Sequence, residues 1–62
     1  MAHLETPETH TREIDKTQLP GVIGDLAEID TWFKLEWTGR QTYDVTIAYI
    51  DRHLLNYIID SN

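Results

Sequence analysis

Histidines and carboxylates are the side chains of this sequence that could do acid–base or metal chemistry. His3 and His10 lie seven residues apart, but a closed metal site takes about four ligands and the neighbouring residues do not supply them. His53 follows Asp51 and Arg52, and consecutive residues of a helix do not face one another. Cysteine is absent and the one serine is the penultimate residue, so the sequence offers no cysteine nucleophile and no serine nucleophile away from its end. The sequence therefore predicts a protein that is not an enzyme and uses no cofactor or metal.

The composition indicates the kind of partner. The chain has 62 residues and a net charge of −6, from eleven acids against five Lys and Arg. This balance argues against direct binding to nucleic acid, which requires Lys and Arg to neutralise phosphates, and favours a basic protein surface. No apolar run is long enough for a membrane span and no signal-peptide pattern begins the chain, which predicts a cytoplasmic protein. A domain this small without disulfides is marginal as a monomer, so we expect a homodimer.

The densest apolar segment, Asp44–Asp60, is the one around which the chain must fold. On a helix its large apolar residues form an arc of roughly 200°, broader than one neighbouring helix can cover. Asp51 lies inside this arc, where a carboxylate is expected to pair with Lys or Arg. We interpret the arc as a subunit interface. The predicted self-association residues are Ile47, Ile50, Asp51, Leu54, Leu55 and Ile58.

A second helix is predicted over Thr17–Gly39. Large apolar residues recur at helical spacing from Val22 to Trp37, and Gly39 suits a left-handed position that ends a helix. The predicted fold is therefore mainly α: residues 17–62 form a single small domain, an antiparallel two-helix hairpin that pairs into a four-helix dimer. Residues 1–16 are rich in Thr and Glu and lack a period, which predicts a flexible acidic arm.

The same residues support a competing α+β interpretation. Phe33–Trp37 and Tyr43–Tyr49 both alternate with a period of two and are rich in strand-forming residues. The alternative fold is a helix, a β-hairpin and a short C-terminal helix. Because an isolated hairpin is marginal in water, that fold would need a helix or a second chain against the hairpin.

The leftover surface of the predicted second helix is acidic and aromatic. On the helical wheel Trp32 and Leu35 point away from the apolar stripe, and we expect an aromatic anchor with a charged rim to bind a partner. The predicted partner-binding residues are Asp25, Glu28, Trp32, Leu35 and Glu36. Carboxylates held on a rigid helix can take the place of DNA phosphates in a basic groove.

In size, charge and lack of cysteine the chain resembles, as a type, the small acidic bacteriophage proteins that block host defence enzymes. The leading hypothesis is therefore an inhibitor that behaves as a DNA mimic and occludes the nucleic-acid-binding surface of a partner enzyme. Two alternatives remain open. One is a structural oligomerisation or assembly element, and the other is an antitoxin-like regulatory subunit whose N-terminal arm folds onto its partner.

Overall fold

The computed structural model describes residues 8–62, which form a three-stranded sheet with two helices. The elements are β1 (Thr9–Asp15), a 3-10 turn (Lys16–Gln18), α1 (Leu19–Glu28), β2 (Phe33–Trp37), β3 (Thr42–Ala48) and α2 (Arg52–Asp60). The strand order is β1-β3-β2, and the central β3 is antiparallel to both neighbours. β1 and β2 therefore run in the same direction on either side of β3 and are joined through α1, which is a split β-α-β arrangement.

The prediction of a mainly α fold was wrong. Residues 33–48 form a β-hairpin because their two-residue alternation of β-branched and aromatic side chains suits a sheet with one buried face. From Leu19 onward the observed order is that of the α+β alternative. That alternative lacked β1, which lies in the segment predicted to be a flexible arm; residues 1–7 of that arm lie outside the described part of the chain.

The core lies between one face of the sheet and the two helices. Its buried members are Ile14, Val22, Leu26, Val45, Ile47, Leu55, Ile58 and Ile59. Burial of such a side chain contributes about 1.5–3 kcal/mol. The apolar arc attributed to a single helix over 44–60 is thus divided between the inner face of β3 and the inner face of α2. Its core members are covered by the chain itself, which removes the reason for predicting a four-helix dimer.

The ends of both helices have local causes. Pro20 lies in the first turn of α1, where its missing N–H costs nothing. Asp30 has a φ of 55° just beyond α1, the left-handed conformation that ends many helices. Asp51 precedes α2, and its Oδ1 accepts a hydrogen bond from the N–H of His53 at 2.7 Å, which is an N-cap. The carboxylate expected inside an apolar arc is therefore the exposed start signal of a shorter helix.

The remaining special position predicted from sequence, Gly39, does adopt a positive φ of 87°. It lies in the hairpin loop between β2 and β3 rather than at the end of a helix. Neither helix within residues 8–62 is long and apolar enough to cross a bilayer.

Candidate functional site

One face of the sheet is left open by the described chain, because both helices pack on the other. We call it the outer sheet face. A solvated face is ordinary for an antiparallel sheet, so its composition is what matters. Strand alternation and register place on it Thr9, Thr11, Glu13 and Asp15 from β1, Lys34 and Glu36 from β2, and Thr42, Asp44, Thr46 and Ala48 from β3.

Three carboxylates form a row straight across the outer sheet face. Asp44 on the central strand is the register partner of Glu13 on β1 and of Glu36 on β2. Residues directly opposite on neighbouring strands have their Cβ atoms about 4.5–5.5 Å apart, and like charges in that position destabilise the sheet. This carboxylate row (Glu13, Asp44, Glu36) therefore costs folding free energy.

The contacts of the row offset little of that cost. Lys34 Nζ lies 2.9 Å from Glu36 Oε1, but both side chains are exposed and such pairs contribute about 0–1 kcal/mol. The Thr42 hydroxyl donates to Glu13 Oε2 at 2.5 Å. The four acids and one base that the strands place on this face give it a charge of −3 (1 − 4).

Asp15, the acid at one end of the face, is held in the ionised form. Asp15 Oδ2 accepts hydrogen bonds from the hydroxyl of Thr17 at 2.5 Å and from its backbone N–H at 2.9 Å. These bonds from Thr17 favour the carboxylate and lower the pKa of Asp15 below its ordinary value. Next to the row, the hydroxyls of Thr11 and Thr46 are 2.9 Å apart and tie β1 to β3.

Two aromatic side chains border the outer sheet face at the end opposite the hairpin loop. Trp32 is 49% exposed and Tyr49 is 74% exposed, and together with Thr9 and Ala48 they line a shallow cavity of about 210 Å³. We call Trp32 and Tyr49 the aromatic corner. Tyr49 has a φ of 72°, which is rare for a bulky side chain and costs about 1–2 kcal/mol. An exposed aromatic ring is therefore held on a strained backbone.

No protein-family model, curated protein or solved structure matches this chain. Its function must be inferred from the surfaces themselves. Within residues 8–62, no group of three or more His, Asp or Glu side chains is arranged to hold a metal ion.

The predicted partner-binding residues are divided between two sides of the molecule. Trp32 and Glu36 belong to the outer sheet face and its aromatic corner. Leu35 points to the other side, where it packs against the core. Asp25 and Glu28 lie on α1 in the helix layer, where Asp25 accepts a hydrogen bond from Asn62 at 2.9 Å. The structure therefore brings two of the five together.

The predicted self-association residues are divided by burial. Ile47, Leu55 and Ile58 belong to the buried core, and Ile50 packs against it. Leu54 is 39% exposed on α2, and Asp51 is its exposed N-cap. These six residues do not form one accessible surface.

Sequence reasoning missed two residues of the site, Glu13 and Tyr49, and placed Asp44 on a helix with other surface acids rather than on the outer sheet face. Asp44 could have been placed by the alternation of Tyr43–Tyr49, which the strand interpretation already contained. Glu13 could not, because its position depends on pairing with a strand about thirty residues away in sequence.

Proposed function

We propose that this chain is a non-enzymatic protein-interaction module that binds a basic protein surface through its outer sheet face. In its most concrete form it is an inhibitor that occludes the nucleic-acid-binding site of a partner. The observation that carries this proposal is the carboxylate row, in which Asp44 has an acid opposite it on each side.

The energetics of the row favour a cationic partner. Like charges directly opposite each other reduce the stability of the free protein, and Lys or Arg side chains brought against them reverse the sign of that interaction. Surfaces that bind nucleic acid are rich in such side chains because they neutralise phosphates. Electrostatic complementarity of this kind also accelerates association.

The aromatic corner supplies what the row lacks, a site for desolvated contact. Trp and Tyr dominate the binding energy of many interfaces, and the ring faces of both attract a Lys or Arg cation. The cavity between Trp32 and Tyr49 adjoins the acidic face, so one basic segment can contact both. We therefore place the interface over the row and the corner together.

The test compares two double variants that remove the same charge from opposite sides of the molecule. Glu13→Gln with Glu36→Gln neutralises the ends of the row, and the matched control, Asp25→Asn with Glu28→Gln, neutralises the acids of the helix layer. Tagged wild-type protein and both variants are used to capture partners from a lysate of the cells in which the protein naturally occurs, at low and at high salt. We expect the wild type and the control to retain a Lys/Arg-rich nucleic-acid-binding protein at low salt, and the row variant to lose it.

The captured partner is then purified and loaded with labelled nucleic acid. Added wild-type protein should displace the nucleic acid, and the displacement should weaken as salt rises because salt screens exposed charges. Equal capture by the two double variants would contradict the proposed interface. A complex in which the nucleic acid stays bound would contradict the inhibitor form.

A further inference from the structure

A groove between β1 and α2 brings together two of the five Lys and Arg side chains and two of the three histidines of an otherwise acidic protein. The groove has a volume of about 490 Å³ and runs along the free edge of β1, where Thr9 and Thr11 of the outer sheet face also line it. Its polar walls come from four positions of β1 and three positions within the first five residues of α2. We call it the β1–α2 groove; its polar lining is His10, Arg12, Arg52, His53 and Asn56, together with Thr9 and Thr11.

Arg12 is the central feature of the groove. It is half-buried, and its Nη1 donates a hydrogen bond to Asn56 Oδ1 at 2.8 Å. Within residues 8–62 the one ion pair closer than 4.0 Å joins Lys34 to Glu36, so no described carboxylate lies that close to Arg12. A guanidinium has five N–H donors, and a neutral amide oxygen does not compensate its charge. An anion in the groove would accept hydrogen bonds from the other N–H groups of Arg12 and would compensate its positive charge.

The other groups lining the groove point to the same ligand. Arg52 and His53 are exposed in the first turn of α2, and His10 lies on the groove side of β1 by strand alternation. No acid is among the described residues that line this groove. Two acids line the adjoining space, Glu8 and Asp51. Asp51 is already engaged by the N–H of His53.

The charge of the rest of the protein selects among anions. The net charge of −6 disfavours a long polyanion, which would run past the acidic surfaces. A small anion feels mainly the charges nearby, since the screening length is about 8 Å at physiological ionic strength; these are Arg12 and Arg52 in the groove, with Glu8 and Asp51 in the adjoining space. The net negative charge and the short screening length therefore both favour a small, multiply charged oxyanion as the ligand of the groove.

We propose that the β1–α2 groove binds a phosphate group. The planar fork of a guanidinium matches phosphate oxygens with two parallel hydrogen bonds, and the histidine N–H groups can donate to the remaining oxygens. The volume exceeds that of inorganic phosphate alone, so the groove also has room for the group that a phosphomonoester carries. The cations of this site, Arg12 and Arg52, do not belong to the outer sheet face, although Thr9 and Thr11 line both surfaces.

The test is a titration of the full 62-residue chain at constant ionic strength, in which binding is monitored by the backbone amide signals in NMR spectra. Inorganic phosphate and a nucleoside monophosphate are used as separate ligands, with sodium chloride replaced as each is added. We expect saturable shifts of His10, His53 and Asn56 with both. Tighter binding of the monophosphate would identify an organic phosphate as the physiological source, and equal binding would identify the free ion.

Three single variants distinguish binding in the groove from a general effect of the protein's net charge on phosphate binding. Arg12→Met and Arg52→Met each remove a groove cation, while Arg40→Met removes the same charge from the exposed hairpin loop. We expect the first two to weaken phosphate binding at least about tenfold, the loss of one charge-assisted hydrogen bond, and the third to leave it unchanged.

Arg52 is exposed, so its variant tests the site even if Arg12→Met does not fold. Shifts that stay linear to high phosphate concentration would overturn the proposal. So would equal weakening by Arg40→Met and Arg52→Met.

Discussion

The outer sheet face and the β1–α2 groove share one strand and carry opposite charge. In β1, Glu13 and Asp15 project to the outer face, while His10 and Arg12 project to the helix side. Successive side chains of a strand point to opposite faces, so seven residues are enough to keep acids and bases apart. A slip of one residue in the pairing of β1 would exchange the two sets. Ile14, buried beside the helices, opposes that slip.

The two regions differ in what supports them. The outer sheet face is built from strands alone and is tied together by cross-strand bonds such as Thr11–Thr46. The groove exists only while α2 lies against the sheet. Its helical wall is held there by the buried residues Leu55, Ile58 and Ile59. Losing the contact of α2 would therefore remove the groove directly.

Leu55→Ala is expected to give the largest effect, because it opens a cavity beneath the wall of the groove. Leu55 is fully buried, and such truncations cost about 2–5 kcal/mol, a large part of the roughly 5–15 kcal/mol that stabilises a domain. The measurement is urea unfolding followed by tryptophan fluorescence and far-UV circular dichroism. We expect the two transitions to coincide, since one core joins the helices to the sheet.

The neighbouring Leu54→Ala is the control for this experiment. Leu54 is partly exposed, so its truncation should cost much less than that of Leu55. Fluorescence and dichroism transitions that separate in Leu55→Ala would show that α2 detaches by itself, and the groove would then be lost while the outer sheet face survives. Equal costs for the two variants would contradict the assigned burial.

The sequence pattern located the apolar segments of the fold but not their secondary structure. The residues of 44–60 satisfy a helical period because an inner strand face followed by an inner helix face is apolar in both halves. Asp51 marks the junction, and its role as an N-cap can be distinguished from a seam position only when the helix is known to start there. β1 was missed because it has one large apolar residue, Ile14, and owes its structure to pairing with β3.

The site was predictable only where local pattern sufficed. Trp32 and Glu36 lie at the outer sheet face, and their binding of a partner stays a prediction. A helical wheel, at about 100° per residue, placed Leu35 on the same surface as Trp32. In a strand successive side chains point to opposite faces, so Leu35 points to the core while Glu36 points to the outer sheet face. The carboxylate row joins three strands, and its register is a property of the folded sheet that no single segment encodes.

Tyr49 lies between the two regions, because it lines the aromatic corner and also the space adjoining the groove. Changing it tests whether partner binding and phosphate binding are independent. Tyr49→Gly should raise stability by up to about 1.5 kcal/mol, because glycine removes a left-handed penalty of about 1–2 kcal/mol at an entropic cost of about 0.5–1 kcal/mol. Thermal unfolding measures this change. Capture of the basic partner should weaken, while phosphate affinity should stay unchanged.

Tyr49→Ala is the matched variant, because it removes the ring but keeps the Cβ atom. It should weaken partner capture without stabilising the fold. If Tyr49→Ala were as stable as Tyr49→Gly, the positive φ would not be the source of the gain. A change in phosphate affinity in either variant would mean that the two regions are not independent.

Asp44→Asn tests the central charge of the carboxylate row. Removing one of the opposed charges while keeping the shape should stabilise the fold by about 0.2–1 kcal/mol, more at low ionic strength than at high. Urea unfolding at two salt concentrations measures it. Thr46→Ser, a change on the same strand and face without charge, should show no salt-dependent gain. If Asp44→Asn lowered stability at low salt, the row would be an asset to the free fold and the main support for a basic partner would fail.

Asp15 gives the smallest expected effect, because its exposed carboxylate is screened by water. The hydrogen bonds from Thr17 lower its pKa in the folded protein, so its contribution is fully present above the unfolded pKa of about 4. That contribution is lost as pH falls through the lowered folded pKa. Asp15→Ala should therefore be less stable than wild type at pH 7, and the difference in stability should shrink below about pH 4.

Asp15→Asn is the control, because it retains a capping oxygen. At neutral pH its stability should lie between those of the wild type and Asp15→Ala. A difference that persisted undiminished to pH 2 would mean that packing, not the ionised cap, is responsible. Since Asp15 lies at the opposite end of β1 from His10 and on the other face, phosphate affinity at pH 7 should be the same in all three proteins.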